Sequence, residues 1–261
     1  MSIFFAILKE IYMNKNERYA EITNILKRTS FATVEYLSEE IHISPSSIRR
    51  DLTMLEAQGL VRRTHGGVSL VISENLNIPF AMRMKANVSE KKAMAKKAAA
   101  LVHEGDVVFL DASSTDMFVA VELVKKRGIT VVSNSIAILH HLAGFHTKAI
   151  CVGGALSAED RNAIVGGDAL RTLEDLRADI AFIAPQAIDK SGNLFDCYRE
   201  EVEVVRKMLS CAKLKVGLCD SSKLGKVSTY KQCSIGELDA LIGEINLSPF
   251  YSQKFPSVKY Y

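Results

Sequence analysis

The chain has 261 residues, enough for two domains that each bury a core. Hydrophobic residues make up 48% and charged residues 24%, with 15 Gly and 5 Pro, which excludes collagen-like and largely disordered chains. Lys plus Arg at 33 against Asp plus Glu at 30 leaves a charge of +3; so small a balance neither demands nor forbids a nucleic-acid partner.

The opening run Met1 to Leu8 is apolar but lacks a basic leading segment and a small-residue cleavage pattern. It reads as an extension over 1–14, not as a signal peptide, and Met13 offers a second start. No apolar run approaches the roughly 18 residues of a membrane span. The five cysteines, Cys151, Cys197, Cys211, Cys219 and Cys233, have no CxxC spacing. Neither a zinc knuckle nor a disulfide framework is expected; no metal or cofactor is expected, and free thiols fit a cytoplasmic location.

Glu17 to Arg28 is predicted as a helix, with Tyr19, Ile22, Ile25 and Leu26 on one face. Phe31-Ala32-Thr33 breaks the pattern, and Thr33 caps a short helix holding Val34, Leu37 and Ile41. Ser44-Pro45 is a start signal, a hydroxyl cap followed by proline at the first helical position. That third helix buries Ile48, Leu52 and Leu55 and leaves Ser46, Ser47, Arg49 and Arg50 on other faces. Gly59 stops it. Leu60 to Arg63 and Val68 to Val71 read as two strands around His65-Gly66-Gly67, a wing. Three short helices and a hairpin over 15–72 describe a winged helix-turn-helix.

Such a unit inserts its third helix into the major groove of DNA. Ser46, Ser47 and Arg50 are the candidates for base edges or adjacent phosphates, with Ser44 at the start of the helix beside them. Arg49, Arg62, Arg63 and His65 are candidates for clamping the DNA backbone. Asp51 is suited to orient an arginine. Residues 1–72 carry nine basic and eight acidic side chains, so a protein-binding winged helix stays open as an alternative.

Residues 73–88 read as a linker. A helix follows from about Ser89, its cap, to Val102, with lysines facing water or the DNA backbone. Val107 to Leu110, Ile129 to Val132, Lys148 to Val152, Ile180 to Ile183, Lys215 to Cys219 and Ala240 to Ile242 are apolar strands separated by helices. A long polar excursion precedes the helix from Arg199 to Ala212. This alternation predicts an α/β domain over 89–250 with a mainly parallel sheet covered on both faces, and a tail over 251–261. In such sheets ligands gather beyond the carboxyl ends of the strands. There the sequence puts Asp111, Ser113, Ser114, Thr115, Asn134, Ser135, Gly153, Gly154, Asp220 and Lys223. Hydroxyls and free N–H groups at a helix start suit a phosphate, Lys223 suits a second anion contact, and Asp111 and Asp220 suit sugar hydroxyls.

The run Ser44 to Leu52, then Leu55-Glu56 and Gly59 to Val68, resembles the amino-terminal signature of the DeoR family of bacterial transcription regulators. Pro79-Phe80, Arg83, Glu90-Lys91, Asp111 to Thr115, Asn134-Ser135, Gly153-Gly154, Gly166, Asp179 to Ile183 and Asp220 to Lys223 are similar to its linker and effector-domain landmarks. The resemblance covers about Asn14 to Gly243. It implies a repressor that binds double-stranded operator DNA as a homo-oligomer, dimer or tetramer, and answers to a phosphorylated sugar or related metabolite. It also implies a larger domain like the sugar-phosphate isomerase and CoA-transferase folds. An isomerase-like enzyme with an appended winged helix is therefore the rival reading. Against it, the loop Ala184-Pro185-Gln186-Ala187 offers no carboxylate where ribose-phosphate isomerases carry an acidic cluster. Asp189, Asp196, Glu200 and Glu201 lie further along. Family members generally have glycines where Ala184 and Ala187 stand and often a lysine where Val205 stands. Ala112-Ser113 also replaces a glycine-containing form. These departures narrow the expected pocket and remove an anion contact.

Overall fold

The computed structural model describes residues 15–29, 31–57, 60–64, 67–70 and 78–261. The extension over 1–14, Gly59, His65 and Gly66 lie outside them. The chain divides into two compact units, the smaller ending at Met82 and the larger holding Arg83–Tyr261.

In the smaller unit α1 (Lys15–Thr29) buries Tyr19, Ile22, Ile25 and Leu26, the face that the periodicity predicts. After it, β1 (Phe31–Ala32) is a short strand where the sequence showed only a break. Helix α2 (Val34–Ile41) starts at Thr33, whose side chain accepts from the Tyr36 N–H at 3.0 Å. It closes at His42, which takes the left-handed conformation at φ 59 and donates its N–H to the Ser38 carbonyl. Helix α3 (Pro45–Ala57) opens with the Ser44 hydroxyl accepting from the Ser47 N–H at 3.4 Å, and Ile48, Leu52 and Leu55 are fully buried. Strands β2 (Val61–Thr64) and β3 (Gly67–Leu70) form the antiparallel wing, and β1 pairs with the other edge of β3. A Cβ on Gly67 would stand 2.3 Å from the Phe31 ring and 2.6 Å from the Ala32 carbonyl, so the close approach of β1 requires glycine there.

Helix α4 (Phe80–Arg83) spans the division, and the larger unit proper begins with α5 (Val88–Ala100). The cap of α5 is Asn87, at φ 50 and ψ 46, and not Ser89 as expected. Strand β4 (Val107–Leu110), α6 (Ser114–Leu123), β5 (Thr130–Ser133), α7 (Ile136–Leu142) and β6 (Lys148–Cys151) follow in alternation. A hairpin of β7 (Ala155–Leu156) and β8 (Ile164–Val165) leads to α8 (Gly167–Glu174) and β9 (Ala178–Ile183). The polar excursion is in fact two strands, β10 (Ala187–Ile188) and β11 (Asn193–Asp196). Then come α9 (Arg199–Ser210), β12 (Ala212–Leu218), β13 (Tyr230–Ser234), β14 (Ala240–Ile242), α10 (Ser248–Tyr251) and β15 (Lys259–Tyr260).

Seven strands form one sheet in the order β15-β14-β12-β9-β4-β5-β6, and every pairing is parallel. Along β4, Val108 and Leu110 enter a core with Met94 and Ala98 of α5 and Val119 and Leu123 of α6. Phe109 enters the opposite core with Leu173 of α8 and Val204 and Met208 of α9. Both faces are thus covered, which is why the strands read as continuous apolar runs. Strands β10, β11 and β13 make a separate antiparallel sheet. The stretch expected as a tail carries β15 on the sheet edge, and Tyr251 and Val258 are buried in a core. Because the large sheet is parallel, the loops after β4, β5, β6, β9 and β12 all leave from one edge.

Candidate nucleic-acid interface and ligand site

On α3 the residues that alternate with the buried stripe point outward. Ser46, Arg49, Arg50 and Thr53 are exposed, as is Arg63 on β2. Arg49 Nη2 lies 3.2 Å from Glu35 Oε1, an exposed pair that water weakens. Arg50 Nη2 donates to the Ser47 hydroxyl at 3.0 Å. Arg63 donates its main-chain N–H to Glu56 Oε1 at 2.9 Å and its Nη1 to Thr53 Oγ1 at 3.2 Å, which ties the wing to α3. Ser47 differs from expectation: it is buried, drawn under the start of the helix by its bond with the Ser44 hydroxyl at 3.1 Å. Asp51, also buried, accepts a two-pronged bond from Arg18 of α1, Nε to Oδ2 at 2.7 Å and Nη2 to Oδ1 at 3.1 Å. It thereby orients an arginine, and that arginine comes from the first helix.

At the carboxyl edge of the large sheet, Asp111 is buried, and both its oxygens accept main-chain N–H bonds. Oδ1 takes Ser113 at 2.8 Å and Oδ2 takes Ala184 at 2.9 Å. It is an organiser that joins the loops after β4 and β9. Its own N–H donates to Asp116 Oδ2 at 2.8 Å. Burial, reinforced by the nearby Asp111, pushes the Asp116 carboxyl well above the usual carboxylate range. The Ser113 hydroxyl caps α6 by accepting from the Asp116 N–H at 3.0 Å. Ser114 and Thr115 are buried in the first turn, and their main-chain N–H groups have no protein acceptor among the described residues.

Asn134 and Ser135 are buried after β5. Asn134 Nδ2 donates to the Ile164 carbonyl at 3.0 Å, while its Oδ1 has no partner. The Ser135 hydroxyl caps α7 by accepting from the Ile138 N–H at 3.3 Å. Gly153 and Gly154 are exposed at the turn into the β7–β8 hairpin, where a Cβ on Gly154 would stand 2.5 Å from the Val165 carbonyl. Asp220 is buried, and its Oδ1 accepts from Asn87 Nδ2 at 3.1 Å and the Ser222 N–H at 3.0 Å. Lys223 is half-buried beside it.

The structure adds residues that sequence reasoning missed. Asn162 joins three loops: its Nδ2 donates to the Ala112 carbonyl and the Ser135 hydroxyl, both at 3.1 Å, and its Oδ1 accepts from the Ala137 N–H at 2.9 Å. Asp160 pairs with Arg83 Nη2 at 2.5 Å. Asp196 and Glu201, to which sequence reading assigned no role, act electrostatically on this Arg83–Asp160 pair and on Asp111. Burial raises Asp196 to about 6, and burial with Asp196 and Asp160 nearby raises Glu201 to about 9. Gln186 Oε1 and Glu201 Oε1 are buried without a partner, two groups that a hydroxylated ligand could satisfy. A buried Asp, Asn or Glu in a polar stretch looks like any loop residue until its partners are known, so no local signal distinguishes these positions. Ala184, Ala187 and Val205 are all buried, the last in a core with Leu209 and Ile183. Among the described residues no group of His, Cys, Asp and Glu could hold a metal ion, and no helix is long and apolar enough to cross a membrane.

Comparison with known proteins matches both units. Residues 18–74 match the family model described as a DeoR-like helix-turn-helix domain, and 86–244 match the DeoR C terminal sensor domain. The chain is 31% identical over 247 residues to the lactose phosphotransferase system repressor of Lactococcus lactis, covering 93% of this chain and 96% of that one. It is 29% identical over 230 residues to the glycerol-3-phosphate regulon repressor of Escherichia coli, covering 88% and 90%. It is also 29% identical over 239 residues to the regulator GolR of Listeria innocua, covering 92% and 94%. Ribose 5-phosphate isomerase A of Methanocaldococcus jannaschii superposes at a TM-score of 0.39 and 19% identity over 51% of this chain and 53% of that one, a likeness too slight to carry weight.

Proposed function

The chain belongs to the DeoR family of helix-turn-helix transcriptional regulators, and from that membership we propose that it represses a carbohydrate-metabolism operon and is released by a phosphorylated sugar. The observation that carries the DNA side is the two-faced α3, with Ile48, Leu52 and Leu55 buried and Arg49 and Arg50 exposed. The effector side is supported by the loops that leave from one sheet edge, with open N–H groups at the start of α6 in the loop after β4 and Lys223 in the loop after β12. Two relatives carry the word repressor in their names, one for a phosphotransferase system and one for a phosphorylated compound.

In this reading the protein acts in the cytoplasm as a homo-oligomer. Two recognition helices meet half-sites about one helical turn apart, roughly 34–36 Å, or a multiple of it. The effector favours a state without that spacing, which requires different affinities for the two states. Arg50 reads base edges or adjacent phosphates with Ser46, and Arg49, Arg62, Arg63 and His65 hold the backbone. Ser44 and Ser47 support Arg50 from the start of the helix. Asp111, Asn134, Ser135, Gly153, Gly154 and Asp220 shape the effector pocket, and Ser113, Ser114, Thr115 and Lys223 hold the phosphate.

A mobility shift with the protein's own upstream DNA, repeated with a panel of sugar phosphates, tests this. One phosphorylated sugar should release the DNA while its unphosphorylated form does not. Arg50→Ala should weaken binding and alter discrimination between sites, whereas Arg62→Ala should weaken binding to all DNA evenly. Equal losses on operator and random DNA for both would remove that division of roles. Turnover of a phosphosugar by the same preparation would establish the isomerase alternative, and a winged helix without any sequence-selective footprint would be a protein adaptor.

A further inference from the structure

In the smaller unit a cleft of about 220 Å³ runs between α1 and α3, lined by Lys15, Arg18, Ser47, Arg50, Asp51 and Met54. Lys15 and Arg18 stand three residues apart on α1, and Ser47, Arg50 and Met54 stand three and four apart on α3, so two helical stripes face each other across it. Three cations line the cleft against one carboxylate, and that carboxylate is committed: Arg18 donates to both oxygens of Asp51. Lys15 is exposed and makes no ion pair among the described residues; its ammonium lies 5.7 Å from the centre of the Tyr19 ring. Arg50 has no carboxylate partner among those residues either, and its Nη2 donates to the Ser47 hydroxyl. A cleft with two uncompensated cations and no uncommitted carboxylate suits an anion better than a base edge, which presents donors as well as acceptors.

We propose that this cleft seats one phosphate of the DNA backbone, which makes Lys15 a DNA-contacting residue of the first helix. The proposal rests on the reading that α3 enters the major groove. Helix α1 lies outside the helix-turn-helix pair α2 and α3, so the contact adds a third element to the DNA-binding face. Because Arg50 forms one wall, a phosphate held there lies beside the bases that this side chain is proposed to meet. The Arg18–Asp51 pair ties α1 to α3 and keeps the two walls together. Lys15 thereby fixes the register of α3 on the duplex without itself reading sequence.

The test uses the full chain and an operator duplex from its own upstream DNA, with a random duplex beside it. Fluorescence anisotropy over a salt series reads the slope of log affinity against log salt. Singly placed methylphosphonates, which remove the charge of one phosphate at a time, map the backbone contacts. Lys15→Met should lower the slope by up to about 0.9 on both duplexes. At one position where a methylphosphonate weakens the wild type, Lys15→Met should bind the neutral and natural duplexes equally, and the other positions should keep their effect. Lys15→Arg keeps the charge and should keep the slope and the map. Should Lys15→Met fail to fold, Lys15→Gln gives the same readings. Arg28→Met is the control: it removes an exposed cation roughly 20 Å along α1 from Lys15 and should keep the wild-type slope. An unchanged slope in Lys15→Met, a wild-type methylphosphonate map in it, or an equal loss of slope in Arg28→Met overturns the phosphate seat and leaves the DNA reading intact. A wild type that binds neither duplex overturns both.

Discussion

Glu201 keeps its proton at neutral pH because burial, with Asp196 and Asp160 nearby, lifts its carboxyl from the ordinary 4.5 to about 9. In the unfolded chain the same group ionises near its ordinary value. Between those two values the native state therefore holds more protons, and stability falls as pH rises. Glu201→Gln should flatten that fall and raise stability at pH 7 by roughly 1–3 kcal/mol. Urea unfolding at pH 5 and pH 8 checks it, and a variant with the wild-type slope would contradict it. The loop positions of the hydroxyl and glycine residues proposed for the site were legible because they follow apolar strands. Asp160 and Asn162 were not, since what makes each unusual is burial beside residues far away in the chain.

The wing shows how much an element owes to one small residue. At Gly67 any side chain meets the Phe31 ring and the Ala32 carbonyl, so Gly67→Val must push β1 off β3. The expected cost is about 1–3 kcal/mol for the smaller unit, with weaker operator binding. A thermal unfolding curve and a mobility shift on the same variant measure both, and an unchanged midpoint would show that β1 pairing adds nothing. The helices α1 to α3 and the central strands were readable from periodicity and capping. Strand β1 was not, because two residues carry no period. Strands β10 and β11 were hidden for another reason: Asn193-Leu194-Phe195-Asp196 is half polar, and its partner β13 lies more than thirty residues on. The edge strand β15 likewise exists through its pairing with β14.

For the molecule as a whole, the near-even charge of the chain says little about DNA, and the salt response says more. Taking away one cation that neutralises a DNA phosphate should reduce the slope of log affinity against log salt by about 0.9. Arg63→Ala, which removes an exposed cation from β2, is expected to lower the slope by about that amount on operator and random DNA alike. Fluorescence anisotropy over a salt series measures it, and an unaltered slope would remove Arg63 from the groups that hold the DNA backbone. The two-unit plan was readable from the change of pattern, a three-helix run with a hairpin giving way to alternating strands and helices. Arg83, the first residue of the larger unit after Met82, has its guanidinium moored to Asp160 and its carbonyl to Lys91. Both the side chain and the carbonyl of Arg83 are thus held where the larger unit begins. Loss of either partner removes one of the two contacts that fix the start of the larger unit.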